Sequence, residues 1–226
     1  MTLPQGAEKV KAVDDMFDAI APRYDLLNRL LTFGMDIGWR RRTVKSLHLA
    51  AGSTVLDLAC GTGDLCRELA KRGYRPVGVD RSAGMLAAQR TTAPLVRGDA
   101  LALAFRPHSV DGIVCGFALR NFASLKPFMT ECARVLRPGG RIALLEVAEP
   151  ENPVLRWGHA QYFGKVVPAV GGLLSDRDAY QYLPNSVAYL PPPSRMVAML
   201  SESGFGNAHR RPLSTGIAQL LTGTKR

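Results

Sequence analysis

Residues 55–64 read VLDLACGTGD, in which an apolar run leads into two glycines with the spacing G-x-G. The apolar run is typical of a buried strand. Gly61 and Gly63 allow the backbone to turn sharply and to approach a ligand closely. Because apolar residues continue at helical spacing after the loop, the stretch predicts a strand, a glycine-rich turn and a helix, the opening unit of a nucleotide-binding α/β sheet.

The same alternation of strands and helices continues along the chain. After the first unit we expect helices at residues 83–90 and 125–136. We expect strands at residues 76–80, 94–96, 112–115, 141–147, 208–213 and 216–223. Strands alternating with helices favour a mostly parallel sheet with helices on both faces. The last two strands, joined by a tight turn, would close a seven-stranded sheet with an antiparallel edge.

We expect one domain over residues 1–226. Residues 8–49 carry apolar residues at helical intervals, interrupted at Pro22 and Gly34, and predict N-terminal helices. A cofactor-binding core is expected at 54–147 and closing strands at 204–226. Residues 150–200 break the alternation because they are rich in Pro, Tyr and Gly, with a helix expected only at 194–203, so they predict a lid-like insertion on the substrate side.

Composition and charge narrow the function less than the motifs do. The formal net charge is +10, which suits an anionic membrane surface, nucleic acid or an acidic small molecule, but the basic residues are dispersed apart from Arg40–Arg42. The four cysteines have neither zinc-site spacing nor the density of a disulfide scaffold, and no segment reads as a signal peptide or a membrane span. A cytoplasmic protein that binds no metal is the expectation.

Three acidic positions follow successive strands. Asp57 precedes the glycine loop, Asp80 ends the next strand, and Asp99 with Ala100 follows the third. In an open parallel sheet these positions lie at the ligand-binding edge, where Asp80 can accept hydrogen bonds from ribose hydroxyls and Asp99 or its neighbouring amide can contact an adenine. A nicotinamide loop would need a third glycine at Cys66 and gives no reason for Asp57, whereas a carboxylate there suits the cationic amino-acid end of S-adenosylmethionine.

The chain resembles the menaquinone and ubiquinone biosynthesis C-methyltransferases, a family of class I enzymes with a Rossmann-like fold that use S-adenosylmethionine. The resemblance spans MFDAIAPRYDLLNRLLTFGMDIGWRR at 16–41, LDLACGTGD, GVDRSAGML, RGDALALAF, FALRNF at 117–122, ARVLRPGGRIALLEVAEP, YQYLPNSVAYLP and STGIAQLLTGTK. The glycine loop and RPGG occur in many methyltransferases. RYDLLN, ALRN and YQYL are the specific motifs.

The resemblance implies cofactor contacts at Thr62, Asp80, Asp99 and Ala100. With the loop residues and their neighbours, the predicted cofactor-binding set is Asp57, Gly61, Thr62, Gly63, Asp80, Arg81, Asp99, Ala100 and Gly116. Gly116 stands where the family commonly has a serine, so a hydroxyl contact is lost there while a backbone contact can remain.

The implied reaction is methyl transfer to a ring carbon of a prenylated hydroquinone, with demethylmenaquinol favoured as the acceptor over the benzoquinol. Arg120 and Asn121 follow the fourth strand and could stabilise the developing phenolate, and Tyr24 could close over the ring. Structural readings remain open: Arg120 with Asn121 could cap the next helix, and Tyr24 could be a packing residue. The reaction needs no metal and no covalent protein intermediate.

A prenylated acceptor resides in a bilayer, so peripheral membrane contact is expected, through the N-terminal helices with Trp39 and the arginine cluster and through residues 154–174. The sequence is compatible with a homodimer, and no nucleic-acid partner is expected. Three rivals stay open: an RNA methyltransferase, which would suit the charge; a non-catalytic protein that binds S-adenosylmethionine; and a methyltransferase of another lipophilic small molecule.

Overall fold

The computed structural model describes residues 6–162, 164 and 186–226. A seven-stranded sheet with the order β3-β2-β1-β4-β5-β7-β6 forms the centre of the fold. The strands are β1 (Thr54–Leu58), β2 (Arg75–Asp80), β3 (Leu95–Arg97), β4 (Val110–Gly116), β5 (Leu136–Val147), β6 (Phe205–Leu213) and β7 (Ala218–Lys225). β1 to β5 pair in parallel, and β7 pairs antiparallel with both β5 and β6, which confirms the predicted α/β sheet with its antiparallel edge.

Helices precede the sheet and cover it. The described helices are α1 (Gly6–Ile20), α2 (Tyr24–Leu31), α3 (Met35–Lys45), α4 (Asp64–Lys71), α5 (Ala83–Ala87), α6 (Leu125–Val135), α7 (Pro153–Gln161) and α8 (Pro193–Glu202). The breaks between the first three helices fall where Pro22 and Gly34 predicted them: a 3₁₀ turn at Ala21–Arg23 contains Pro22, and Gly34 precedes α3 with a φ of 72°. None of the described helices is long and apolar enough to span a bilayer.

Both faces of the sheet are apolar because alternate strand residues point in opposite directions. On β1, Leu56 and Leu58 join one core with α6 and α8, while Val55 joins a second core with α3 and α4. β4 repeats the division, since Ile113 belongs to the first core and Val114 to the second. Helices therefore pack on both sides, and all parallel strands end at one edge of the sheet.

Several predicted boundaries were wrong, among them the start of β6, which lies at Phe205 rather than 208. The helix expected at 83–90 ends at Ala87, because the backbone N–H of Arg90 donates to the carbonyl of Thr62 in the glycine loop instead of continuing the helix. β5 begins at Leu136 rather than 141, and its register against β4 shifts between Val110 and Gly112. The RPGG residues thus form an irregular start of the strand.

The predicted lid-like insertion is described only in part. Within 150–200, the structure describes α7, a 3₁₀ turn at Val187–Tyr189 and α8, and α8 matches the helix expected at 194–203. The YQYL motif and most of the apolar part of 154–174 lie outside the described residues. That residues 1–226 form a single domain stays a prediction.

Candidate active site

The glycine loop joins β1 to α4 through a series of left-handed residues. Ala59, Gly61 and Gly63 have φ values of 53°, 56° and 89°. Gly63 has a second constraint, since a Cβ at this position would lie 2.4 Å from Cγ2 of Thr91. These conformations favour glycine and hold the loop close against the end of the sheet.

Neighbouring elements fix the loop by hydrogen bonds. The N–H of Gly61 donates to Oδ2 of Asp80 at 2.7 Å, which ties the loop to the end of β2. The hydroxyl of Thr62 donates to Oδ1 of Asp25 on α2 at 2.7 Å. Asp25 is buried, and its other carboxylate oxygen lies 3.4 Å from Nε of Arg90. Sequence reasoning missed Asp25, although it belongs to the RYDLLN motif.

Asp57 is a buried carboxyl beside the loop with half of its hydrogen-bonding capacity unused. Its Oδ2 accepts from the backbone N–H of Cys66 at 3.1 Å, whereas Oδ1 is buried and has no hydrogen-bond partner among the described residues. Burial raises the pKa of Asp57 to about 7, against the opposing hydrogen bonds from Cys66 and the charge of Arg40.

A small cavity of about 30 Å³ lies beside Asp57 and is called here the loop cavity. Its polar lining includes Asp25, Arg40, Asp57, Thr62 and Asp64. Carboxylates with an unpaired oxygen suit an ammonium group, and the loop N–H groups with Arg40 suit a carboxylate. These residues fit the amino-acid end of S-adenosylmethionine.

A second cavity, of about 100 Å³, lies at the ends of β2 and β3 and is called here the cleft. Asp80, Arg81, Asp99, Ala100 and Gly116 all line it, as the sequence predicted for the cofactor-binding edge. The structure thus brings these residues together around one cavity. Their individual contacts with a cofactor stay predictions.

The acids of the cleft are already held in place. Asp80 accepts from Gly61 and, through Oδ1, from the N–H of Ser82 at 2.9 Å, and burial raises its pKa. Arg81 pairs with Asp99 and with Asp14 of α1, each at 3.0 Å. Because a carboxylate oxygen can accept more than one hydrogen bond, Asp80 retains capacity for hydroxyl donors.

Helix α1 forms one wall of the cleft, a role that sequence reasoning missed. Val10, Val13, Asp14 and Phe17 line the cavity from this helix. Amphipathic spacing predicted the helix but not the surface against which it packs, because Asp80, Asp99 and most other cleft residues lie far from α1 in the chain.

The largest of these three cavities, about 400 Å³, lies on the other side of Tyr24 and is called here the apolar cavity. Leu31, Phe33, Met35, Trp39, Val147, Val154, Leu155, Tyr162 and Ile217 supply apolar surface, and Arg40 and Arg120 are its cationic residues. Pockets of this volume accommodate drug-sized ligands.

Tyr24 and Phe117 separate the two cavities, because each lines both the cleft and the apolar cavity. Tyr24 packs edge to face against Phe17 with ring centroids 5.8 Å apart. Burial raises the pKa of Tyr24, opposed by a hydrogen bond with Asn28 and by the charges of Arg40 and Arg120. Phe117 has a φ of 61°, a strained conformation directly after β4.

Arg120 and Asn121, predicted to act together, line different cavities. Arg120 lines the apolar cavity and is buried, and it is held by Glu146, Ser186 and the carbonyl of Phe117. Asn121 lines the cleft. The two residues therefore flank the Tyr24 boundary from opposite sides, and Glu146 is a partner of Arg120 that sequence reasoning did not identify.

A mostly parallel seven-stranded sheet, with a glycine loop after β1 and acids after β2 and β3, defines a class I S-adenosylmethionine-dependent methyltransferase. Solved structures agree on the fold. A SAM-dependent methyltransferase of Thermotoga maritima matches with a TM-score of 0.67 at 16% identity, covering 94% of this chain and 99% of its own. Phosphoethanolamine N-methyltransferase 2 of Haemonchus contortus, solved with S-adenosyl-L-methionine, matches with a TM-score of 0.59 at 15% identity, covering 82% and 52%.

Sequence comparison is more specific. The ubiE/COQ5 methyltransferase family matches residues 5–225. Demethylmenaquinone methyltransferase of Thermus thermophilus is 41% identical, with 93% of this chain and all of the relative covered. Ubiquinone/menaquinone biosynthesis C-methyltransferase UbiE of Geobacter sulfurreducens is 38% identical, with 100% and 93% covered. The chain belongs to the ubiE/COQ5 methyltransferase family, which confirms the predicted resemblance.

Proposed function

We propose that this protein transfers a methyl group from S-adenosylmethionine to a ring carbon of a prenylated hydroquinone, with demethylmenaquinol as the acceptor. Its relatives carry the names demethylmenaquinone methyltransferase and ubiquinone/menaquinone biosynthesis C-methyltransferase. The observation that carries the proposal is the apolar cavity with a buried guanidinium, meeting the cleft at Tyr24 and Phe117.

S-Adenosylmethionine, when bound, supplies a methyl group activated by the sulfonium charge. The acceptor ring carbon, ortho to a hydroxyl, donates the electron pair of the new C–C bond, and the electrons of the broken C–S bond stay on sulfur. The hydroxyl proton passes to water, and loss of the proton on the methylated carbon restores the aromatic ring. The ring oxygen then takes a proton back from water, so one proton is released for each methyl group transferred. Arg120 stabilises the developing oxyanion from the cavity wall and holds the water that accepts the proton.

The cofactor-binding residues divide by cavity. Asp57 would accept from the ammonium group of S-adenosylmethionine through its unpaired Oδ1, and the loop around Thr62 would hold the amino-acid end. Asp80 would accept from the ribose hydroxyls, while Asp99 and Ala100 would contact the adenine. Support comes from their positions around the loop cavity and the cleft and from the unused hydrogen-bonding capacity of the two carboxyls.

Tyr24 holds the acceptor in the apolar cavity next to the cleft. Its ring lines both cavities, so a planar acceptor in the apolar cavity would lie beside it. Correct placement of the reacting atoms, at about 3–3.5 Å, is the main catalytic requirement of a direct methyl transfer. No metal takes part, and dialysis against a chelator is expected to leave the rate unchanged.

The acceptor's prenyl tail enters from a bilayer along exposed apolar residues at the mouth of the apolar cavity. Phe33, in the turn after α2, and Val154 and Leu155 of α7 line this cavity and are exposed. Three more large apolar residues are exposed on these two helices: Leu26 and Leu30 on α2 and Trp157 on α7. The predicted contact residues Trp39 and Arg40 are instead buried, because Trp39 packs in the core and donates to Ser214. Large exposed apolar residues mark interaction sites, and lipid is the partner that also holds the acceptor.

Vesicle binding tests the membrane contact. Phe33→Glu is expected to abolish co-sedimentation with anionic vesicles, while Val96→Glu, which changes an exposed apolar residue on β3, keeps it. Equal binding of both variants would place the contact elsewhere.

A transfer assay tests the reaction. Purified protein with labelled S-adenosylmethionine is expected to methylate a demethylmenaquinol analogue in preference to a demethoxybenzoquinol analogue, and not tRNA. Arg120→Ala should lower kcat by about 10²–10³-fold, as loss of one oxyanion-stabilising donor does. The control Arg137→Ala removes an exposed cation paired with Asp111 at 2.6 Å and should stay within about twofold of the wild type. Labelling of tRNA and of neither quinol would overturn the proposal.

A further inference from the structure

We propose that Glu146 is a positioning residue that fixes the Arg120 guanidinium at the wall of the apolar cavity. The inference rests on the proposed function and deepens it, because it identifies how the cation at the acceptor site is oriented.

One carboxylate holds both the backbone and the side chain of Arg120. Oε2 of Glu146 accepts from the Arg120 backbone N–H at 3.2 Å, and Oε1 accepts from its Nη1. Oε1 also accepts from the N–H of Val147 at 2.9 Å, which fixes the carboxylate itself at the end of β5. Since Glu146 is fully buried, the whole arrangement is shielded from water.

Two further groups hold the guanidinium. The Arg120 Nε donates to the hydroxyl of Ser186 at 3.0 Å, and Nη1 donates to the carbonyl of Phe117 at 2.8 Å. Among the described residues, no hydrogen bond joins Nη2. Arg120 lines the apolar cavity, so fixing Nε and Nη1 leaves Nη2 as the donor available to an oxygen of the acceptor.

β5 and β4 are neighbouring parallel strands, and their pairing places the two partners. Gly116 pairs with Leu145, so the residues that follow these strands lie side by side at the ligand-binding edge. The N–H of Phe117 donates to the carbonyl of Leu145 at 2.7 Å and brings the chain leading to Arg120 over Glu146. The sheet therefore sets the position of the carboxylate before any substrate is present.

A merely structural role would be to neutralise a buried cation, because removing one partner of a buried pair leaves the other charge uncompensated. The two roles differ in what they change. Loss of neutralisation lowers stability, whereas loss of positioning lowers kcat through Arg120 with little effect on the affinity for S-adenosylhomocysteine, which has no need of the apolar cavity.

The test compares Glu146→Gln with a matched variant. Glu146→Gln keeps the shape of the side chain but cannot accept with both terminal atoms, so Arg120 loses one of its two hydrogen bonds to this residue, either that of the backbone N–H or that of Nη1, and Nη1 loses its charged partner. We expect a fall in kcat of about 10–100-fold, with the dissociation constant of S-adenosylhomocysteine within twofold of the wild type. Glu131→Gln breaks a Glu–Arg pair of the same kind on α6, with Arg134, and should leave kcat within twofold.

A double-mutant cycle separates positioning from independent effects. If Glu146 acts through Arg120, then adding Glu146→Gln to Arg120→Gln should lower kcat by less than a further twofold. Multiplied effects in the double variant, or a single Glu146→Gln variant within twofold of the wild type, would overturn the inference. A wild-type protein without transfer activity would contradict the proposed function itself, and this result is obtained before any variants are compared.

A milder substitution keeps the test valid if Glu146→Gln does not fold. Ser186→Ala removes the anchor of Nε and leaves the ion pair of Arg120 intact. It should lower kcat by about threefold or more in the wild-type background and by less than twofold in the Arg120→Gln background. Unchanged kcat in the wild-type background would contradict the claim that the hydrogen bonds holding the guanidinium set the rate.

Discussion

Asp57→Asn should stabilise the protein while weakening its hold on S-adenosylmethionine. The buried carboxyl of Asp57 has one oxygen without a hydrogen-bond partner among the described residues, and its ionisation is disfavoured by burial. An amide of the same shape removes the charge and leaves the fold in place. The substitution therefore separates the cost of a buried charge from its use in ligand binding.

The magnitude follows from the pKa. Burial raises the pKa of Asp57 from 3.8 to about 7, so between these values the folded protein binds more protons than the unfolded chain and its stability falls as the pH rises. From pH 5 to pH 7 this amounts to about two pKa units, or about 2–3 kcal/mol at ~1.36 kcal/mol per unit, as an upper limit. The unfolding free energy of Asp57→Asn minus that of the wild type should therefore increase by up to about 2–3 kcal/mol between pH 5 and pH 8.

Binding should show the opposite trend. An ammonium group favours the ionised form of Asp57, so the wild type should bind S-adenosylmethionine about eightfold more tightly at pH 7.5 than at pH 6, the ratio expected for a carboxyl of pKa about 7 that must lose its proton. Asp57→Asn should bind at least tenfold more weakly at pH 7.5 and lose most of this pH dependence. Isothermal titration calorimetry at the two pH values measures both.

The matched ligand is 5′-methylthioadenosine, which keeps the adenosyl group and lacks the amino-acid end. Its affinity should be equal for the wild type and Asp57→Asn. Equal loss of affinity for both ligands would mean that the substitution distorts the glycine loop. Unchanged affinity for S-adenosylmethionine at pH 7.5 would refute the role assigned to Asp57.

Two further predictions concern the loop and the N-terminal helix. Gly63→Ala should lower the unfolding free energy by more than about 2 kcal/mol, because the new Cβ meets Thr91 in addition to the strain of a positive φ. Gly73 has a similar φ of 80° but has room for a Cβ, so Gly73→Ala should lower it by only about 1 kcal/mol. Equal losses of unfolding free energy for the two variants in denaturant titrations would contradict this prediction. Lys9 donates to the carbonyls of Arg120 and Phe122 at 2.8 and 3.0 Å, and burial lowers its pKa to about 8, so the folded protein binds fewer protons than the unfolded chain between pH 8 and 10.5. The stability of the wild type relative to Lys9→Met should therefore rise by up to about 2 kcal/mol from pH 7.5 to pH 10, and a flat difference would contradict the burial of the charge.

The sequence predicted most of the cofactor edge because that edge follows from local rules. Asp57 lies next to the end of β1, Asp80 ends β2, and Asp99 comes shortly after β3. Because parallel strands end at one edge of the sheet, the convergence of these acids around the loop cavity and the cleft could be expected. The glycine loop was predictable for the same reason, since its left-handed residues lie within a few positions of β1.

The missed residues depend on how distant segments pack. Asp25 reaches Thr62 across 37 positions, Glu146 reaches Arg120 across 26, and Lys9 reaches the Arg120 carbonyl across 111. No periodicity in the sequence encodes these distances. Trp39 was misassigned to a membrane surface because an aromatic beside arginines suits an interface equally well, and only the packing of α3 against the sheet distinguishes the two.

The most direct measurement of the central claim is methyl transfer by the purified protein from labelled S-adenosylmethionine to a demethylmenaquinol analogue in vesicles. We predict one labelled methyl group on the ring carbon of the quinol per turnover, and a loss of at least 100-fold in kcat for Arg120→Ala but not for Arg137→Ala. A quinol that stays unlabelled while the protein binds S-adenosylmethionine normally would contradict the account.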